Sequence, residues 1–243
     1  MIDLISQDIF TESAYQLHQL GTLGVDKYGS KYRYVKAGGS ALVTGNLLQE
    51  PAEVTNFRSM VVNTAAAIGS DEVEVTLGGT ATTANLFDEG QLVVESSTGI
   101  GQVFRIKRHD VQSTTTGTCT FVLDRPLKIA LVAASSQASV RKNSYKGVIQ
   151  YPATTATGGA VGVALYAMTA DYFGWVQSGG DAVALFDDGT NTSNGVTGIV
   201  PSASVAGSVK PAAETDASSP WIGYSREIAS TDSTMGFVHL FID

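Results

Sequence analysis

The organisation of the chain is most legible in Tyr32-Arg33-Tyr34-Val35-Lys36-Ala37-Gly38-Gly39-Ser40-Ala41-Leu42-Val43-Thr44-Gly45. Large and polar residues alternate at its start, and a strand sends alternate side chains to opposite faces. Tyr32, Tyr34 and Lys36 therefore share one side, with Arg33, Val35 and Ala37 on the other. The paired glycines that follow predict a turn. The pattern returns 141 residues later as Phe173-Gly174-Trp175-Val176-Gln177-Ser178-Gly179-Gly180-Asp181-Ala182-Val183-Ala184. Four of the twelve aligned positions are identical: Val35/Val176, Gly38/Gly179, Gly39/Gly180 and Ala41/Ala182. Two readings stay open: the copies mark two related structural units, placed equivalently in two β domains, or one strand-turn solution was reached twice. In both, Tyr32, Tyr34, Phe173 and Trp175 are structural anchors of a core, and Gly38, Gly39, Gly179 and Gly180 permit the turns. No catalytic group sits in either copy. Asp181 stands where Ser40 does, an exchange that argues against a ligand-binding loop.

Outward from this stretch, short strands alternate with turn residues. Asp26-Lys27-Tyr28-Gly29-Ser30 reads as a turn feeding the Tyr32 strand, and Leu47-Leu48-Gln49 follows before Pro51. Glu72-Val73-Glu74-Val75-Thr76-Leu77 alternates strictly, with Val73, Val75 and Leu77 inward. Gln91–Glu95 and Gln102–Lys107, joined by Ser96–Gly101, predict a hairpin. Thr118–Leu123 is a further strand, and its Cys119, the single cysteine, is expected as a small buried hydrophobe. Val161–Met168 leads into the second aromatic-Gly-Gly segment, and Asp187–Asn191 and Asn194-Gly195 predict turns. Ile222–Ile228 and Gly236–Ile242 close the chain; the last is apolar on both faces, so it should be central or covered. Residues 2–20 are the best helical segment, with Ile5, Ile9, Leu17 and Leu20 at three- and four-residue spacings; the alternative is an arm ordered by a partner. The expected fold is mainly β, with β-sandwich or β-barrel units of short strands and an N-terminal arm or short helix.

Of 243 residues, 43% are hydrophobic and 16% charged, against about 25% charged in an average soluble domain. Such a surface suits a protein covered by neighbours, or an extracellular one, and is unusual for a cytosolic metabolic enzyme. The net charge of −8 is uneven: residues 1–150 hold thirteen basic and fourteen acidic groups, residues 151–243 two and nine. The C-terminal third should repel nucleic acid and anionic membranes. Pro152 and the run Thr154–Gly159 place a boundary there. The expected division is an arm or helix over 1–24, a mixed-charge β domain over 25–150 and an acidic β domain over 151–243. Arg105-Ile106-Lys107-Arg108 is basic, as is Arg141–Lys146; Arg105 and Lys107 alternate with Ile106, as on the wet face of a strand. The first residues lack a basic and apolar leader, and no run approaches the roughly 18 apolar residues of a membrane span. The expectation is synthesis in a cytoplasm, with the product soluble or built into an assembly there.

Little in the sequence carries chemistry. His18, His109 and His239 lie far apart, with no Cys, His or carboxylate at metal-ligand spacing. His109 beside Asp110 reads as a solvated pair, and nothing pairs a base with Ser40. Gly99-Ile100-Gly101 lacks the following helix of a dinucleotide site. Asp187-Asp188-Gly189-Thr190-Asn191 lacks the ligand spacing and closing Glu of a calcium loop, and Asn191-Thr192-Ser193 carries no meaning without secretion. Glu72 and Glu74 share a strand face with no apolar pocket signalled to raise a pKa. A hydrolase would need a pocket joining residues as distant as His109 and Asp171. No cofactor or metal is expected, and the chain is not read as an enzyme.

Tyr32 to Leu47 resembles the opening of head-associated structural proteins of tailed bacteriophages, in which a comparable aromatic–Val–Gly pattern follows an N-terminal segment. Phe173–Gln177 with Gly179-Gly180, then Ile222-Gly223 and a final apolar strand, is similar to the later half of such proteins. The resemblance spans most of the chain as texture carried by short motifs. It implies a capsid decoration, or cement, protein on the virion exterior, assembled in the bacterial cytoplasm. The implied partners are the major capsid protein and further copies of the chain, a trimer first, with no nucleic acid and no membrane. On that reading residues 1–60 dock on the shell and the acidic region projects outward. Simple cement proteins are often shorter than this chain. The alternative is a tail- or fibre-associated adhesin that binds a host glycan through exposed Tyr and Trp.

Overall fold

The structure, a computed structural model, describes residues 3–4, 8–187, 197–213, 216, 219–227 and 233–243. Ile5, Asp188–Asn191, Asn191-Thr192-Ser193, Asn194-Gly195 and Ile228, singled out above, lie outside the described residues. The described residues form seventeen strands and one short 3-10 helix, Thr55–Phe57, so the protein is mainly β. It divides into two units: residues 1–52 with 144–243, and residues 53–143. The expected division at 24 and 150 is therefore corrected. Composition changes near residue 150, but strand pairing does not: segments from both sides of that point hydrogen-bond in one sheet.

The first unit contains β1 (Asp3–Leu4), β2 (Leu23–Val25), β3 (Lys31–Ala37) and β4 (Leu47–Gln49). It resumes with β11 (Lys146–Gln150), β12 (Ala160–Ala164), β13 (Phe173–Phe186), β14 (Gly198–Pro201), β15 (Val209–Pro211), β16 (Gly223–Glu227) and β17 (Thr234–Phe241). Their pairings close on themselves twice. One ring runs β3–β11–β4–β12–β13 and back to β3; the other runs β13–β15–β14–β16–β17 and back to β13. The first encloses Val35, Ala37, Leu42, Leu48, Val148, Val161 and Val176. Ala182, Ala184, Phe186, Ile199, Val209, Val238 and Leu240 fill the second, where Leu47 and Val163 join them from the back of β4 and β12. Leu47 and Leu48 are consecutive and wholly buried because β4 has a core on each side, which is why the run reads as continuously apolar.

β13 belongs to both rings. Residues Phe173–Gln177 pair antiparallel with β3, and Gly179–Phe186 pair with β17. The register slips between Gln177 and Gly179, and Gly180 has φ +84°, so the strand bulges where it changes partner. A Cβ on Gly180 would stand 3.0 Å from Ser30 Cα. This corrects the expected turn at Gly179-Gly180 and the two-domain reading of the repeat. The aromatic-Gly-Gly copies are neighbouring strands of one sheet, with Trp175 opposite Tyr34. Gly38 does end its strand: its N–H donates to the Val148 carbonyl at 2.8 Å, and a Cβ there would meet Ile149 Cγ2 at 3.0 Å.

Residues 8–20 are not helical, which corrects the helix expected over 2–20 as far as the described residues reach. Ser13 exchanges both main-chain hydrogen bonds with Phe173, at 2.9 and 2.8 Å. The Thr169 N–H and hydroxyl donate to Glu12, and the Tyr166 hydroxyl donates to the Thr11 carbonyl at 2.9 Å. Leu20 is buried with Tyr32, Tyr34 and Trp175, whereas Leu17 and Tyr15 are 57% and 79% exposed. An apolar spacing that buries only some of its members is not a helix stripe. The segment is a strap over the aromatic face of β3 and β13.

The second unit holds β5 (Met60–Val61), β6 (Glu72–Thr76), β7 (Gln91–Ser96), β8 (Val103–His109), β9 (Thr118–Leu123) and β10 (Gln137–Arg141). They pair antiparallel in the order β5–β10–β7–β8–β9–β6, and a Val62–Val75 bridge joins the two ends into a barrel. The hairpin of β7 and β8 and the inward Val73, Val75 and Leu77 are as expected. Its core includes Phe57, Phe87, Phe104, Phe121 and the buried Cys119. The unit is inserted between β4 and β11, which are antiparallel partners through Gln49 and Ile149. It thus occupies the place of a hairpin loop, where the two chain ends already lie side by side.

Candidate functional site

The residues singled out as anchors gather in one aromatic cluster. Tyr34 lies edge-on to Trp175 at 5.2 Å and stacks on Phe173 at 6.3 Å; His18 meets Tyr34 edge-on at 5.1 Å. The Leu17 N–H donates to the Tyr34 hydroxyl at 3.0 Å, and burial pushes that phenol's pKa up. Tyr32, Tyr34 and Trp175 are all buried, so the cluster is packing and presents no reacting group. Gly39 is exposed, with nothing within 4 Å of a Cβ built there.

His109 corrects the expected solvated pair with Asp110. Its side chain is fully buried between Phe87 and Phe121, because β8 turns it inward. Its Nε2 accepts the Phe87 N–H at 3.1 Å, which requires a lone pair there, so Nδ1 carries the proton toward the Asp110 carbonyl at 2.8 Å. Neither nitrogen is left to act as a base. Asp171, the other residue of the hydrolase reading, pairs with Lys36 at 3.0 Å. Glu72 and Glu74 border an open depression of about 410 Å³. Hydrogen bonds from Thr64 and Asn63 hold the Glu74 carboxyl below its usual range, opposite to what a general acid needs. Arg105, Lys107 and Arg108 are all exposed, and a bulge between Ile106 and Arg108 turns the last two outward together. No group of three or more metal-ligating side chains occurs among the described residues, and no helix there is long and apolar enough to cross a membrane.

The arrangement that stands out is the outer face of β13, β17 and β16. Three strands place their outward residues in register: Asp181 opposite His239 and Val183 opposite Phe237 on one side, Tyr224 opposite His239 on the other. β17 points Val238 and Leu240 into the core and Met235, Phe237 and Phe241 outward, where they are 47%, 41% and 45% exposed. Val183 beside them is 50% exposed. The strand expected to be central or covered is thus central by pairing, with its outer face bare. At the middle sits a polar island. Asp181 Oδ1 accepts from His239 Nδ1 at 2.7 Å and from Arg226 Nε at 2.9 Å, and the Tyr224 ring stacks on His239 at 4.9 Å. The His239 hydrogen bond, followed by the Arg226 charge, holds the Asp181 carboxyl below its usual range and outweighs its slight burial.

An Asp–His pair orients an imidazole, but acyl transfer also needs a nucleophile bonded to the ring. Among the described residues no serine, threonine or cysteine side chain bonds to His239. What the face offers is apolar side chains on rigid strands around a compact, internally paired polar centre, with Phe, Met, Tyr and Arg, the residue types enriched where proteins meet. Asp181 and His239 are 58 residues apart, so no local pattern could have paired them. The alternating Phe237, His239 and Phe241 were the one visible signal. Compared with known protein families, curated proteins and solved structures, the chain matches none.

Proposed function

We propose that this protein is a non-enzymatic structural component of a tailed-phage virion, which binds the outer surface of the capsid and reinforces it. The observation that carries the reading is the bare apolar face of β17 and β13. A folded chain that leaves two phenylalanines, a methionine and a valine uncovered on central strands is built to be covered by another protein. The resemblance of Tyr32–Leu47 and Phe173–Gly180 to phage head proteins supplies the setting, with the major capsid protein as partner. Rigid strands and closed rings suit a component that adds contact area to a shell. Quantitative mass spectrometry of purified particles tests it: the chain should be present in fixed, high proportion to the major capsid protein and be lost together with particle stability. Its absence from intact particles would refute the reading.

Trp221 favours a second reading, a tail- or fibre-associated adhesin. It lies against Gly198 and is 59% exposed, which suits stacking on a sugar ring. Labelling on the tail, with glycan binding lost in Trp221→Ala, would decide for it.

A further inference from the structure

We infer that residues 8–19 of the strap form a lid, which lifts as one unit from the start of β13 while the sheet beneath stays folded. Shut, the lid withholds a strand edge from other chains. The inference is independent of what the protein assembles with.

Burial sets the segment apart. None of its twelve side chains is buried: Ile9, Glu12 and Ser13 are half-covered and the other nine are exposed. Leu20, the next residue, is 2% exposed and is the first side chain seated among Tyr32, Tyr34 and Trp175. Segments that bury little apolar surface open at low cost. Hydrogen bonds, not a core, hold this one down.

Both feet of the lid stand beside one strand. β1 pairs with Gly24 and Val25 of β2, and Leu20-Gly21 lead into β2 from the other side. The Gly21 N–H donates to the Tyr34 carbonyl at 2.8 Å, which fixes the second foot. A loop whose ends lie together can swing without moving what it connects.

The bonds converge on one strand edge. Phe173 exchanges both main-chain hydrogen bonds with Ser13, at 2.8 and 2.9 Å. Two residues on, the Trp175 N–H donates to the Tyr166 hydroxyl, which itself donates to the Thr11 carbonyl at 2.9 Å. Glu12 accepts the Thr169 N–H at 2.6 Å and its hydroxyl at 2.7 Å. The Leu17 N–H ends on the Tyr34 hydroxyl at 3.0 Å, and the His18 ring rests against Tyr34 and Trp175. With the lid open, Phe173 presents an unpaired N–H and carbonyl beside the Tyr34 and Trp175 rings. That is an edge to which another strand adds, and covering it is how proteins avoid such pairing.

NMR-detected amide exchange on the full chain tests the lid. Ser13, Leu17, Thr169 and Phe173 lie in separate stretches, yet each N–H donates across the contact between lid and sheet. All four should share one opening equilibrium. Their protection should be at least about 30-fold below that of Ala37 and Leu185, whose N–H groups donate to Tyr172 and Gly45 outside the lid. Phe173 should thus exchange with the strap rather than with its own strand. Glu12→Ala should speed exchange at Ser13, Leu17 and Phe173 by about 5–30-fold, and leave Ala37 and Leu185 unchanged. A Phe173 amide as protected as that of Ala37, four unrelated rates, or a Glu12→Ala effect that is absent or equal in lid and sheet would overturn the inference. So would a Glu12→Ala chain that fails to fold, because the segment would then belong to the cooperative core.

Discussion

The roles of His109 and Asp243 follow from their partners. With both ring nitrogens of His109 bonded to main chain, His109→Phe strands the Phe87 N–H, while the Asp110 carbonyl keeps the Thr82 hydroxyl at 3.0 Å. The substitution should cost the inserted unit about 1–3 kcal/mol in chemical denaturation. Arg33 donates from Nε and Nη2 to the Asp243 carboxylate at 2.7 and 2.8 Å, and Lys31 Nζ reaches the Asp243 main-chain oxygen at 3.0 Å. Burial acts to raise the Asp243 pKa, but the Arg33 hydrogen bonds and charge prevail and hold it below its ordinary 3.8. A depressed carboxylate pKa contributes stability that is complete above the unfolded value and is lost as pH falls through the folded one. Asp243→Asn should therefore destabilise the first unit at pH 7, by about 1–2 kcal/mol. Denaturation curves of variant and wild type should converge as the pH drops below 3.8.

Elements divide cleanly into those the sequence makes plain and those it hides. Period-two alternation placed Tyr32 and Tyr34 opposite Val35 and Ala37, and turned Val73, Val75 and Leu77 inward, because each face of a strand meets one environment. Partners are another matter. Nothing local says that Tyr34 pairs with Trp175, that one Gly-Gly ends a strand and the other bends a strand that continues, or that residues 8–20 extend along Phe173 instead of coiling. The bulge gives a matched pair of tests. Gly180→Ala forces a positive φ and a close approach to Ser30, and should cost about 1–3 kcal/mol. Gly39→Ala meets open space and should stay within about 0.5 kcal/mol; thermal melts of the two separate these roles. Leu20→Ala unseats the strap from Tyr34 and Trp175, with an expected loss of about 2–4 kcal/mol. An equal melt for Leu20→Ala and wild type would show that the strap contributes nothing.

For the whole molecule, β4 and β11 are antiparallel partners whether or not anything lies between them. Replacing residues 53–143 by a short Gly-containing turn should leave the first unit folded, and residues 53–143 alone should fold and melt as one transition. Failure of both fragments would show that neither core suffices by itself. The same connectivity sets an order of events on the ribosome. β3 emerges early with β2 to pair with, yet its other antiparallel partner β13 lies 141 residues further along, roughly 7–28 seconds away at typical rates of about 5–20 residues per second. The inserted barrel has its whole sequence in hand before then and can close first. Tyr32 and Tyr34 must wait meanwhile, with Leu20 of the strap as the cover already synthesised. The strap that finishes the mature cluster is thus also the shield its aromatics have during translation, and shortening it should lower soluble yield more than it lowers the melting temperature of the protein that survives.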